Sequence, residues 1–256
     1  MSNFKFAKKI IVLIGFLFIF ENSHAGAYDD FFRAIKIDDA RGVQALLNRG
    51  FDPNTLDERG QPGLFLALKE NSLKAAEALI RLDQTKVELR NDKDESPLMM
   101  AALRGHKDLV ELLIWRDADI NKTGWTPLHY AASGGHAEVA KLLLSHSAYI
   151  DAESPNGTTP LMMAAMYGSP EAVKHLIQAG ANLQVKNQLG LTALDFAQNA
   201  SRQNNIELLQ EGLRREAARH RRGPLCPARR LEPHRRCDPR RLRRRRPAAG
   251  QFQRRR

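Results

Sequence analysis

The chain has 256 residues, 43% of them hydrophobic, and 40 Lys and Arg against 29 Asp and Glu give a formal charge of +11. That charge is unevenly placed: eighteen Arg face three acidic residues in 213–256, three Lys face one Glu in 1–25, and 26–212 are left at −6. The middle is therefore mildly acidic and the basicity lies in the ends. The two cysteines, Cys226 and Cys237, both fall in the basic tail, where a bridge closing ten residues would hold little of a fold together.

Lys5, Lys8 and Lys9 precede an uninterrupted apolar run, Ile10–Phe20, and small residues follow at Ser23-His24-Ala25 and Ala25-Gly26-Ala27. That order predicts a secretory signal over 1–27, cleaved after Ala25 or Ala27, and export to the bacterial periplasm. Eleven apolar residues fall short of the roughly 20 that cross a bilayer, so an uncleaved inner-membrane anchor is the alternative.

Next comes a repeated phrase: Ser-Pro-Leu-Met-Met-Ala-Ala at 96–102, Thr-Pro-Leu-His-Tyr-Ala-Ala at 126–132, Thr-Pro-Leu-Met-Met-Ala-Ala at 159–165 and the weaker Thr-Ala-Leu-Asp-Phe-Ala at 192–197. Positions 97, 127, 160 and 193 mark a period near 33. Extended backwards, it places Gly63–Leu68 and Asp30–Ile35 in the same register, giving units at 28–60, 61–94, 95–124, 125–157, 158–190 and 191–212. Thr126 and Thr159 are expected to N-cap a first helix, with Pro127 and Pro160 at its first position, where the missing N–H costs nothing. Gly105, Gly135 and Gly168 are expected to end that helix in the left-handed conformation. A second helix then follows, with apolar pairs such as Leu109, Val110, Leu113 and Ile114 on one stripe. The unit at 95–124 is three residues short, and the deletion falls in the connector after Ile120, so one projecting finger is clipped.

These residues resemble the ankyrin-repeat family, and 126–136, Thr-Pro-Leu-His-Tyr-Ala-Ala-Ser-Gly-Gly-His, carry the likeness most fully. With the leader, the chain resembles secreted bacterial ankyrin-repeat proteins. The resemblance implies an all-α ankyrin-repeat solenoid of about six helix-turn-helix units with short hairpin or loop fingers. It also implies that the protein binds other proteins. Gly63 and Ala193 depart from the family's proline, and Phe65, Met99, Met162 and Asp195 from its histidine.

From Leu213 onward the composition shifts to Arg, Pro, Ala and Gly, with no Lys, Ile, Val, Asn, Thr, Ser, Met or Tyr. Residues 213–256 are expected to be disordered, and their GC-rich codon usage reads as a frameshifted end of the gene. The rival reading is a polybasic arm for nucleic acid or anionic membrane, though Phe252 alone supplies a ring for stacking.

Nothing in the chain marks catalysis. His106, His129 and His136 sit at framework positions of the repeat, and no His-Glu-x-x-His, Cys-x-x-Cys or Gly-x-Ser-x-Gly spacing occurs. No cofactor, metal or catalytic residue is expected. In the ankyrin family the variable positions follow the Ala-Ala pair and precede the Thr-Pro. Here they give Leu103, Arg104, Trp125, Met166 and Tyr167 as partner-binding anchors, while Met100, Tyr130 and Met163 are assigned to packing. The expected function is a monomeric, non-catalytic scaffold that binds a protein through its concave face and fingers. The alternative is an accessory or inhibitory subunit of an exported enzyme, for example in oxidative-stress defence.

Overall fold

A run such as Pro127–Gly134 has one apolar stripe and two alanines; alone it is too short to be a stable helix in water and needs neighbours on both sides. The computed structural model describes residues 26–222, with side chains to 219, and within them supplies those neighbours as six helix pairs. They are α1 (26–36) with α2 (Ala40–Asn48), α3 (Gly63–Lys69) with α4 (Leu73–Ile80), α5 (Pro97–Arg104) with α6 (Lys107–Trp115), α7 (Pro127–Gly134) with α8 (Ala137–Ser145), α9 (Pro160–Met166) with α10 (Pro170–Ala179), and α11 (Ala193–Asn199) with α12 (Gln203–Arg222). First helices pack on first helices and second on second, in chain order. No strand occurs among the described residues, only an isolated bridge between Leu56 and Pro62.

The alanine pairs explain the close stacking. Ala101, Ala102, Ala131, Ala132, Ala164 and Ala165 are wholly buried between first helices, and the second-helix stripe (Val110 and Leu113, Ala140 and Leu143, Val173 and Leu176) closes the other layer. Each helix pair leaves an oily side open that the next one covers, so the core is continuous along the array.

The helix starts hold one surprise. Ser96 Oγ accepts the Met99 N–H at 3.3 Å and Thr159 Oγ1 the Met162 N–H at 3.4 Å, while the methionine Sδ atoms accept the Ser96 and Thr159 N–H groups in return. At Thr126 the expected cap is altered: the hydroxyl meets His129 Nδ1 at 2.9 Å, and the His129 N–H goes instead to the Thr126 carbonyl. Imidazole, thioether and, at 192–195, carboxylate thus occupy one position of the repeat and accept the same cap-residue N–H.

Gly105 and Gly135 do end their helices left-handed, at φ 78° and 75°. Gly168 does not, and its reason is space: a Cβ there would come within 2.4 Å of the Ala132 carbonyl oxygen.

Fingers project between the helix pairs, each closed by one backbone bond: Asp57 to Gln61, Asn91 to Glu95, Ser154 to Thr158 and Asn187 to Leu191. The first residue's side chain holds the turn from inside, as Asn91 Oδ1 does by accepting the Lys93 and Glu95 N–H groups. No comparable closure is found over 121–125 among the described residues, at the three-residue deletion. A ladder of loop acceptors then ties each unit to the next: Asn54 to Lys86 N, Glu88 to Asp119 N, Asn121 to Tyr149 N and Asp151 to Asn182 N, all at 2.7–3.0 Å.

The boundary drawn at Leu213 falls inside α12. Leu213 packs against the core and the helix continues to Arg222, because a stretch of Arg, Glu and Ala is a good helix former whatever its codon usage. Of the leader expected over 1–27, residues 1–25 lie outside the described residues, as do the tail from 223 and both cysteines, while 26 and 27 begin α1.

Candidate functional site

One face of the array is written by three positions of each unit. Ahead of the first helix stand Gln61, Glu95, Trp125, Thr158 and Leu191, with Tyr28 at the equivalent place inside the longer α1; at mid-helix come Arg33, Leu66, Met100, Tyr130, Met163 and Phe196; towards its end lie Lys36, Lys69, Leu103, Ser133, Met166 and Asn199. Towards the N-terminus this face is charged: Asp29, Arg33, Lys36, Glu58, Lys69 and Glu70 border a hollow of about 510 Å3 floored by Tyr28, Phe32 and Leu66. From Met100 onward it carries no charge among these positions, and apolar side chains predominate, with Ser133, Thr158 and Asn199 the polar ones.

The apolar part contains a second hollow of about 300 Å3, lined by Leu103, Trp125, His129, Tyr130, Ser133 and Met163. Its floor is organised by His129, which is 1% exposed. The Thr126 N–H donates to Nδ1 at 3.1 Å, so the ring proton sits on Nε2, which donates to the Thr158 carbonyl of the next unit at 2.9 Å. Burial pushes this imidazole from 6.5 down to about 4, so it is neutral at physiological pH. Trp125 stands edge-on to it with ring centres 5.3 Å apart. Tyr130 donates its hydroxyl to Glu95 Oε1 at 2.9 Å, and burial followed by that bond raises the phenol above its usual value.

Of the residues expected from sequence, Leu103 and Trp125 come together in this hollow, both half-buried. Arg104 is exposed, but its guanidinium reaches back to donate to the Lys69 carbonyl at 2.7 Å, fastening two units. Met166 is half-buried and Tyr167 is 53% exposed; both lie at the end of α9 and neither lines the hollow. Tyr130 and Met163, assigned to packing, do pack half-buried against the core, and they form a wall of the hollow as well. The signal for them was available: they directly precede an Ala-Ala pair whose small side chains leave their flanks uncovered. Met100, 7% exposed, is packed as expected. Outside this face, Trp115 at the end of α6 is 76% exposed and Tyr149 after α8 is 67% exposed; neither stood out in the repeat phrase.

The other histidines hold the frame. His136 Nε2 donates to the Leu103 carbonyl at 3.0 Å. His106 is its counterpart one unit earlier, and its Nε2 is buried without a partner, because the Lys69 carbonyl that it would meet is taken by Arg104. Among the described residues no group of three His, Cys, Asp or Glu side chains could hold a metal ion, and no helix is long and apolar enough to cross a membrane.

The family profile described as "Ankyrin repeats (3 copies)" matches residues 31–123, 81–154 and 148–216, which together span most of the chain; the chain belongs to the ankyrin-repeat family. Repeats of this family generally mediate protein–protein interaction. Among curated relatives, the chain is 33% identical over 109 residues to the mouse ankyrin repeat and SAM domain-containing protein 6, a match covering 41% of this chain and only 12% of that protein. It is 32% identical over 109 residues to a putative ankyrin repeat-containing protein of Treponema pallidum, covering 41% of this chain and 37% of that one. Among solved structures, the ankyrin repeat domain of human ASB11 superposes with a TM-score of 0.65 at 26% identity, over 71% of this chain and 82% of that one. A chain of the complex between the predatory endopeptidase Bd0816 of Bdellovibrio bacteriovorus and immunity protein Bd3460 gives 0.62 at 28% identity, over 71% and 97%.

Proposed function

We propose that this protein is a non-catalytic scaffold which binds a partner protein through the first-helix face and the fingers, acting as a monomer in the bacterial periplasm. The observation that carries the reading is the half-buried apolar row Tyr130, Met163 and Phe196 along one face, with Leu103 and Trp125 opening a hollow beside it. Each side chain of the row packs only in part against the core and leaves the rest of its apolar surface open, which suits a protein partner. Export is supported by the leader-like order of Lys5, Lys8, Lys9, the apolar run and Ala25. Leu103, Trp125, Met166, Tyr167 and Arg104 are the proposed contact residues.

Crosslinking in the periplasm, followed by mass spectrometry, identifies the partner. Replacing Trp125→Ala together with Tyr167→Ala then tests the face: capture of that partner is lost while the thermal melt barely moves. Retained capture would remove the face from the reading. A second reading, an accessory or inhibitor of an exported enzyme, is favoured by the likeness to the endopeptidase–immunity protein complex. It shares the same face and differs only in that the captured partner is an enzyme whose activity changes on binding.

A further inference from the structure

The hollow between α5, α7 and α9 is selective by what it withholds. Leu103, Trp125, Tyr130 and Met163 present carbon and sulfur, and no lining residue carries a charge at neutral pH. The polar atoms beneath are already committed: Tyr130 donates to Glu95, and His129 uses one ring nitrogen on Thr126 and the other on Thr158. Ser133 is left as the single hydroxyl in the lining for which no bond is found. A volume of about 300 Å3 suits one large side chain and is too small for a length of folded peptide. Charged groups border the neighbouring hollow, as Arg59, Lys69, Lys93 and Glu95, and the Glu95 carboxylate, which also touches a wall of this one, is engaged by the Tyr130 hydroxyl and the Asn91 amide. The way in is also specified. The connector over 121–125 lacks the closed finger found at 91–95 and 154–158, so the row of fingers is interrupted beside Trp125.

We infer that this hollow takes one bulky, neutral side chain, aromatic or leucine-like, which a partner protein projects through the gap left by the clipped finger. The inference rests on the scaffold reading and adds to it the chemistry of the anchor. A cation or carboxylate placed there meets no counter-charge in the lining and loses its water, so charged analogues of the same shape are rejected.

The test uses the full-length protein and small probes of one shape. Proton–carbon NMR of the methionine methyls and of the Trp indole N–H follows titration with p-cresol, benzylammonium and benzoate. The p-cresol shifts the Met163 methyl and the Trp125 N–H with a millimolar Kd, and the two ions bind about tenfold or more weaker. Ser133→Leu fills the hollow from its one hydroxyl-bearing wall and abolishes the p-cresol shifts without lowering the melt, whereas Tyr167→Ala leaves them unchanged. Ions that bind as well as p-cresol, or p-cresol shifts that survive Ser133→Leu, overturn the inference. The crosslinked partner separates it from the broader reading: if Ser133→Leu keeps the partner and Trp125→Ala with Tyr167→Ala releases it, the anchor is wrong and the scaffold stands. If neither variant releases it, the face itself is wrong.

Discussion

Replacing His129→Met exchanges the imidazole for the side chain that Met99 and Met162 already use at the same position, so the cap N–H keeps an acceptor. Two effects of opposite pH dependence follow. At neutral pH the variant loses the Nε2 bond to the buried Thr158 carbonyl, a cost of about 1–3 kcal/mol. On acidification it gains. The folded imidazole titrates at about 4 against 6.5 unfolded, so the unfolded chain binds the proton first and the stability that neutral His129 contributes is lost as pH falls from 6.5 towards 4. The loss is about 2 kcal/mol at about pH 5 and about 3 kcal/mol at about pH 4. Both proteins also share a decline from Asp94 and Asp195, whose carboxyls hydrogen bonds hold below the usual range. His106, pushed down by burial and then by Arg104 and His136, adds to the shared decline. Urea titrations of both proteins between neutral and acidic pH isolate the difference. The wild type begins more stable, and the two curves converge and cross between about pH 4 and about pH 6. Curves that stay parallel would show that burial does not hold His129 neutral, and the account of the floor of the hollow would fail.

Arg116 donates to the carbonyls of Ile80, Leu82, Asp83 and Thr85, closing the end of α4 from the next unit; Arg116→Ala is expected to cost about 2 kcal/mol in urea denaturation, with Arg116→Lys recovering only part. Gly168→Ala sets a methyl against the Ala132 carbonyl and is expected to cost about 1–3 kcal/mol, whereas an effect confined to the entropy of the unfolded chain would be stabilising. Trp115→Ser removes a large but exposed ring and should leave the thermal melt within about 0.5 kcal/mol of wild type.

The helix pairs were legible because their chemistry is local: Pro97, Pro127 and Pro160 begin first helices, and Leu109, Val110 and Leu113 mark the buried stripe within a single turn and a half. What depends on two units at once was not. Gly168 looks like Gly135 in the chain, yet one answers to its own φ and the other to an oxygen a full unit away. The loop acceptors Asn54, Glu88, Asn121 and Asp151 share a place and a task but not a residue type, so no phrase announces them. Leu103 and Trp125 were found from their places in the phrase; Tyr130 and Met163 were read as packing, which they do, but their share in the wall of the hollow was not read, because it is decided by how small their neighbours are. The disorder expected from Leu213 does not begin there, since α12 runs on to Arg222: codon-biased composition and helix formation are separate properties.

The shortened stretch at 121–125 has a consequence for how such a molecule can change. Its shortening altered reach without touching the spine: α5 to α8 keep their spacing, and Asn121 still grips Ser147 and Tyr149 across the trimmed bend. Lengths gained or lost at these bends therefore let the molecule be re-cut for a new companion while its stacked backbone goes on as before.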